Sequence, residues 1–527
     1  MRKLLLIVLL AFSFSAAAQQ DAWVYFNSKP EAAFYLAHPL EMLSQRSLDR
    51  RTAQGILLDD ADVPVHQPFI DAVENAAGIT VMAKSKWLNA IHVRGSEQDI
   101  SALGSLDFVQ SIDFANDALD TGKPVVAKKQ TEMLVDFPYG NSANQIQMIE
   151  GHQLHQQGFT GSGKIIAVLD AGFPGVDDAA PFARLRDNNL ILGGYNFVDR
   201  SDDFYTRSSH GTIVLSSMGG YVDGQLVGTA PDAGYYLFIS EDTNSENPVE
   251  ESLWVEAAEY ADSLGVDIIN SSLGYFGYDD PGYSYSFEDM NGLKGFASRG
   301  ADMAFSRGIL VVASAGNSGN SENPNIGVPA DAVNVLTIGA VSPTGAHASF
   351  SSVGPTADGR IKPDIVAQGQ SVVVAGPSGN ISTTNGTSLS SPIIAGMAAS
   401  LWQAVPNLTA EQLREVIIQS AHLFDNPNFQ MGYGIPNFQE ALELAQLSTA
   451  DPEPASFVLY PNPFQDRIAM FYPSDDAILT LYDASGRRLL QTFPGQAELQ
   501  TTGLSSGMYL YRIEAGGTSA SGKLVKR

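Results

Sequence analysis

The chain of 527 residues carries 30 Lys and Arg against 58 Asp and Glu, a formal charge of −28, which argues against nucleic acid or an anionic membrane surface as its main partner. With 44% hydrophobic and 17% charged residues it can bury a large core, and its length allows roughly two to four domains. It has no cysteine, which excludes disulfides, thiolate nucleophiles, zinc–thiolate sites and iron–sulfur clusters.

Residues 1–18 run from a basic start (Arg2, Lys3) through an apolar stretch, Leu4 to Phe14, to small residues ending at Ala18. The stretch is shorter than the roughly 20 residues that cross a bilayer, and the order is that of a secretory signal peptide cut after Ala18. Residues 19–116 read as a small α/β domain. Trp23–Phe26, Ala90–Val93 and Val109–Ile112 are its predicted strands, and the stretches Glu41–Thr52 and Pro68–Ala77 its helices. Residues 117–140 are a loose connection with Lys123, Pro124, Lys128 and Lys129, where proteolysis is expected.

Residues 141–446 have a different texture. Apolar runs at Lys164–Asp170, Tyr235–Ser240, Val266–Gly274, Ile309–Gly316 and Val333–Val341 alternate with helical stretches such as Leu253–Leu264 and Gly300–Arg307. Continuous Val/Ile-rich strands separated by helices predict a parallel sheet covered on both faces, with its site at the carboxyl ends of the strands. Residues 447–458 form an acidic, Pro-containing linker, and 459–527 hold only short alternating runs such as Ile478–Asp483 and Met508–Ile513. That pattern predicts a small β-sandwich.

Four segments carry chemistry. Asp170 ends a buried strand before Ala-Gly, where a carboxylate can orient a histidine or simply cap a turn. His210 opens a small-residue helical run, and Gly211 beside it admits close backbone approach. Ser388 opens a long apolar helix in NGTSLSSP, with Pro392 expected in the first turn; free N–H groups and the dipole there suit a developing oxyanion. Asn317, in SAGNSG after a buried strand, offers an amide donor. Each has an ordinary structural explanation when taken alone.

Together, in the order Asp170, His210, Asn317, Ser388, these segments resemble the subtilisin-like serine proteases over about residues 160–440. NSSLG (Asn270–Gly274), HASFSSVGPT (His347–Thr356) and GRIKPDIVAQG (Gly359–Gly369) extend the resemblance. It implies an α/β fold with a subtilisin-like parallel sheet flanked by helices, a small α/β prodomain before it and a β-sandwich after it. It also implies Ser388 as nucleophile, His210 as general base, Asp170 as its orienter, Asn317 in the oxyanion hole, and Ser272, Leu273 and Gly274 pairing with substrate. The region 19–116 sits where this family carries a propeptide. YPNPF (Tyr460–Phe464), GLSSGMYLYRI (Gly503–Ile513) and the basic end KLVKR (Lys523–Arg527) are similar to the C-terminal sorting domains of the type IX secretion system.

The expected protein is therefore a secreted endopeptidase, exported through the periplasm, with protein substrates and the secretion machinery as partners. No cofactor is expected for the chemistry. Structural calcium is an expectation of the resemblance, with Asp177-Asp178, Asp202-Asp203 and Asp279-Asp280 as candidate ligands. The loop Ile239–Ser252 is acidic where the family offers a glycine-flanked substrate edge; Glu241, Asp242 and Glu246 either bias the cleft toward basic residues or are solvated. A processing protease with few targets and an inactive adhesin on the same fold are the competing functions. The acidity is local: residues 141–450 hold 11 Lys and Arg against 33 Asp and Glu.

Overall fold

A computed structural model describes residues 19–116, 138–449 and most of 458–526. The signal-like segment, most of the 117–140 connection and most of the 447–458 linker lie outside the described residues. The chain divides into two units, residues 1–446 and 447–527.

The first unit begins with a four-stranded antiparallel sheet, β1 (Gln19–Phe26), β2 (Thr80–Ser85), β3 (Ala90–Ser96) and β4 (Val109–Phe114), in the order β2-β3-β1-β4. Strand alternation sends Ala22, Val24 and Phe26 of β1 into a core with Ile70, Val73, Ile91 and Val93. Trp23 points the other way and stacks on Phe296 of the following layer at 4.9 Å. Strand β2 lacks the predicted signal because Lys84 interrupts a half-exposed run.

Residues 138–446 contain a seven-stranded sheet. Its strands are β5 (Ile165–Asp170), β6 (Ile191–Asn196), β7 (Gly234–Ile239), β8 (Ile268–Ser271), β9 (Leu310–Ser314), β10 (Leu336–Val341) and β11 (Ile365–Gln368). Every pair is parallel, in the order β11-β10-β9-β8-β5-β7-β6. Strands β8 to β11 are buried throughout, as a sheet with helices on both faces requires. The run read as Val266–Gly274 stops being strand at Ser271, which frees Ser272–Gly274 as an edge.

Five helices matter here: α1 (Gln45–Ala53), α2 (His210–Gly219), α3 (Val249–Leu264), α4 (Phe296–Ser306) and α5 (Thr387–Ala404). The N-terminal layer docks on α3 through ions and backbone donors. Asp262, fully buried, takes Arg50 at 2.5 Å, Arg51 at 2.8 Å and Lys86 at 3.4 Å. Glu259 accepts the Ser85 hydroxyl at 2.6 Å and the Lys86 and Trp87 N–H groups at 2.9 and 3.0 Å.

In the second unit, two antiparallel sheets of three and four strands share a core of Ile468, Leu479, Leu481, Leu499, Tyr509 and Ile513. Two sheets around one core make a sandwich. No helix among the described residues is long and apolar enough to cross a membrane.

Candidate active site

The carboxyl ends of β5, β8 and β9 converge with the start of α5. Asp170 is the last residue of β5 and is fully buried. Its Oδ1 accepts the Ala171 N–H and the His210 Nδ1–H, each at 2.7 Å. The partner reaches it because Gly211 has no side chain: a Cβ there would lie 2.5 Å from the Gly172 carbonyl oxygen. The Asp170 carboxylate holds the His210 imidazole above its ordinary value, against burial, which pulls it down. The His210 side chain keeps 37% of its surface open to solvent.

Ser388 is the second residue of α5, so its N–H lies among the first-turn groups that have no intrahelical acceptor. Its hydroxyl donates to the Ser272 carbonyl at 3.3 Å, and the Ser272 hydroxyl donates to the Ser388 carbonyl at 3.0 Å. Pro392 explains the second bond. It stands at the sixth position of the helix, not in the first turn as expected, and its missing N–H leaves the Ser388 carbonyl without its partner four residues on. Ser391 adds a bond to Asn270 at 2.9 Å, which pins the helix start to β8.

Asn317, exposed in the loop after β9, is oriented by Thr387. The Thr387 N–H and hydroxyl both donate to Asn317 Oδ1, at 2.9 and 3.1 Å. A backbone N–H can only donate, so the oxygen of the amide faces the helix and its NH₂ faces away. Nothing local in the sequence marks Thr387 for this role.

Leu273 and Gly274 follow Ser272, and the chain is tied again where Tyr275 donates to the Val328 carbonyl at 2.7 Å. Between those ties the backbone of Leu273 and Gly274 makes no hydrogen bond among the described residues. It is a strand edge open to a partner.

Two acids of the loop, Glu241 and Glu250, turn inward, while Glu246 stays exposed. Glu241 is buried and accepts the Tyr275 hydroxyl at 3.0 Å, and Asp242 pairs with Arg207 at 2.8 Å. Glu250 accepts the Asp242 and Asn247 N–H groups at 3.1 and 2.8 Å. Burial pushes Glu241 well up and Glu250 up to about 8, so this loop carries less charge than its composition implies. Among the described residues Glu241, Glu246 and Glu250 bring carboxylate oxygens within 4.8 Å of one another, a donor set for a hard cation. The three aspartate pairs named from the sequence form no such group.

A parallel sheet covered by helices, with a carboxylate–imidazole pair and a helix-borne serine at its carboxyl ends, is an arrangement suited to a serine hydrolase. The subtilase family model (peptidase S8) matches residues 161–434, more than half of the chain. Subtilisin NAT of Bacillus subtilis subsp. natto is 32% identical over 315 residues, 59% of this chain and 73% of that protein. Subtilisin DY of Bacillus licheniformis is 32% identical over 309 residues, 58% of this chain and 98% of that protein. Among solved structures, the prenylagaramide maturation protease PagA is similar with a TM-score of 0.44 and 21% identity, over 56% of this chain and 98% of that one. The chain belongs to the subtilase family and is a serine-type endopeptidase. A peptidase S8 propeptide domain of the Bacteroidota matches residues 21–132. A secretion-system C-terminal sorting domain, of the type IX kind, matches 458–527 and marks the protein for secretion or the cell surface.

Proposed function

We propose that hydrolysis runs through Ser388, His210 and Asp170, with Asn317 stabilising the oxyanion. The 2.7 Å bond from His210 Nδ1–H to buried Asp170 carries this reading, because it fixes the tautomer that leaves Nε2 as the base. Ser388 Oγ attacks the scissile carbonyl while His210 Nε2 takes its proton. The carbonyl oxygen becomes an anion between the Ser388 N–H and the Asn317 NH₂. When the C–N bond breaks, His210 returns the proton to the leaving amine, and an acyl-enzyme remains on Ser388. Water then attacks, losing its proton to His210, and the acid leaves as the proton goes back to Ser388.

The Ser272–Gly274 segment pairs with substrate as an added strand, which favours extended, unfolded chains. Residues 1–18 serve as signal, 19–116 as the inhibiting prodomain and 117–140 as the region cut in maturation. Every proton transfer in this scheme belongs to a side chain or water; calcium, where it binds, has a structural role. Fluorophosphonate labelling of the intact protein tests the scheme. Modification at Ser388, lost in Ser388→Ala, is expected; an unlabelled Ser388 in matured enzyme that digests casein overturns it.

A further inference from the structure

A cavity of about 490 Å³ opens at the amino-terminal end of the seven-stranded sheet, where Asp364 leads into β11. The proposed catalytic groups stand at the opposite, carboxyl ends of the strands. The volume falls in the roughly 300–1,000 Å³ range of small-ligand sites. Its walls are apolar and partly bare: Val333 is 41% and Phe424 42% exposed, with Ile361, Ile418 and Tyr433 between them.

The floor is ionic. Lys362 at 2.7 Å and Arg414 at 2.6 Å both donate to the single carboxylate of Asp364, two cations on one anion. Arg360 is matched by Asp358 at 2.5 Å, and Glu415, exposed at the rim, forms no ion pair among the described residues. Burial pushes Lys362 down to about 8, which leaves it protonated at neutral pH. Arg414 Nε and Arg360 Nη2 are both buried without a hydrogen-bond partner, and the Arg414 side chain keeps 21% of its surface open. Three of the 11 Lys and Arg between residues 141 and 450 line this one cavity, in a segment with 33 acidic residues.

We propose that this cavity binds a carboxylate carried on an apolar body, with Arg414 as the receiving cation. That is the chemical form of every chain end an endopeptidase releases when it cuts after an apolar residue. The site lies away from the cleft and would report product to the enzyme without occupying the cleft.

Calorimetry on the full chain carrying Ser388→Ala tests this, because nothing is then cut. The probes are acetyl-Ala-Ala-Phe as the free acid, the same peptide as its amide, and 3-phenylpropionate. The free acid should bind saturably and the amide at least tenfold more weakly. Arg414→Gln should weaken the acid about tenfold. Val333→Glu, which leaves the Asp364 network intact and adds a negative charge to the rim, should do the same. Equal affinity for 3-phenylpropionate and the peptide supports small acids as the occupant; tighter peptide binding supports chain ends. Acid and amide binding alike, or unchanged affinity in both variants, overturns the proposal.

Discussion

The Ser272 hydroxyl donates to the Ser388 carbonyl at 3.0 Å, an acceptor that exists only because residue 392 is proline. The helix break and the neighbouring strand edge are thus complementary halves of one arrangement. Ser272→Ala should orphan that carbonyl and cost about 1–2 kcal/mol. In a Pro392→Ala background the restored N–H should absorb most of the loss. Urea unfolding of active-site-blocked protein in a double-mutant cycle checks this; equal losses in both backgrounds would refute it.

Asn317→Ala should lower kcat about 10²–10³-fold with KM nearly constant, a magnitude established for subtilisin itself. Thr387→Val should cost less, several-fold in kcat, because the Thr387 N–H still holds Asn317 Oδ1. Steady-state kinetics on a peptide amide separate the two effects. A rise in KM alone would remove Thr387 from this positioning role.

The pH profile follows from Asp170. In the proposed scheme His210 must be neutral to act as a base, and the adjacent carboxylate keeps it protonated to higher pH than an ordinary histidine. kcat/KM should therefore rise with pH through a value above about 6.5. Asp170→Asn should move that rise to lower pH while cutting the plateau by about 10⁴. The pair's contribution to stability has the opposite trend: present below the unfolded value, it fades as pH climbs through the raised one.

Asp262 carries three cations of the N-terminal layer while wholly buried. In the uncleaved Ser388→Ala precursor, Asp262→Ala should cost about 3–5 kcal/mol, since it strands buried positive charge. Glu259→Gln, whose single oxygen still serves the Ser85 hydroxyl and the Trp87 N–H while its NH₂ faces the Lys86 N–H, should cost less. Denaturant midpoints of the two precursors decide it.

Deleting residues 458–527 should leave active enzyme trapped inside the cell envelope. Assay of culture medium against periplasmic extract checks that expectation; export undiminished by the deletion would contradict it.

Where an element rides on a local pattern, the sequence is a good guide. Asp170 ends a Val/Ile-rich strand and Ser388 opens an apolar helix, so the place of each in the fold is readable from its neighbours. Strand β6, ILGGYN, escapes prediction because its glycine pair hides the β-branched signal, and it lies at the sheet's edge. Thr387 escapes because its partner Asn317 is 70 residues away. The loop acids mislead for the opposite reason: composition implies solvated charge, whereas Glu241 and Glu250 fold inward onto Tyr275 and backbone donors.

All seven strands of the large sheet run parallel, and none is joined to its neighbour by a tight turn. Each pairing closes a long loop before any contact rewards it, so such a sheet assembles slowly. The N-terminal layer has the reverse economy. Strands β2 and β3 form a hairpin across residues 86–89, which can close early and present Ser85, Lys86 and Trp87 to α3. A fast-folding piece thus lends order to a slow one. With no cysteine in the chain, no covalent crosslink holds the large sheet, so its slow assembly and its slow loss have the same origin in long-range pairing.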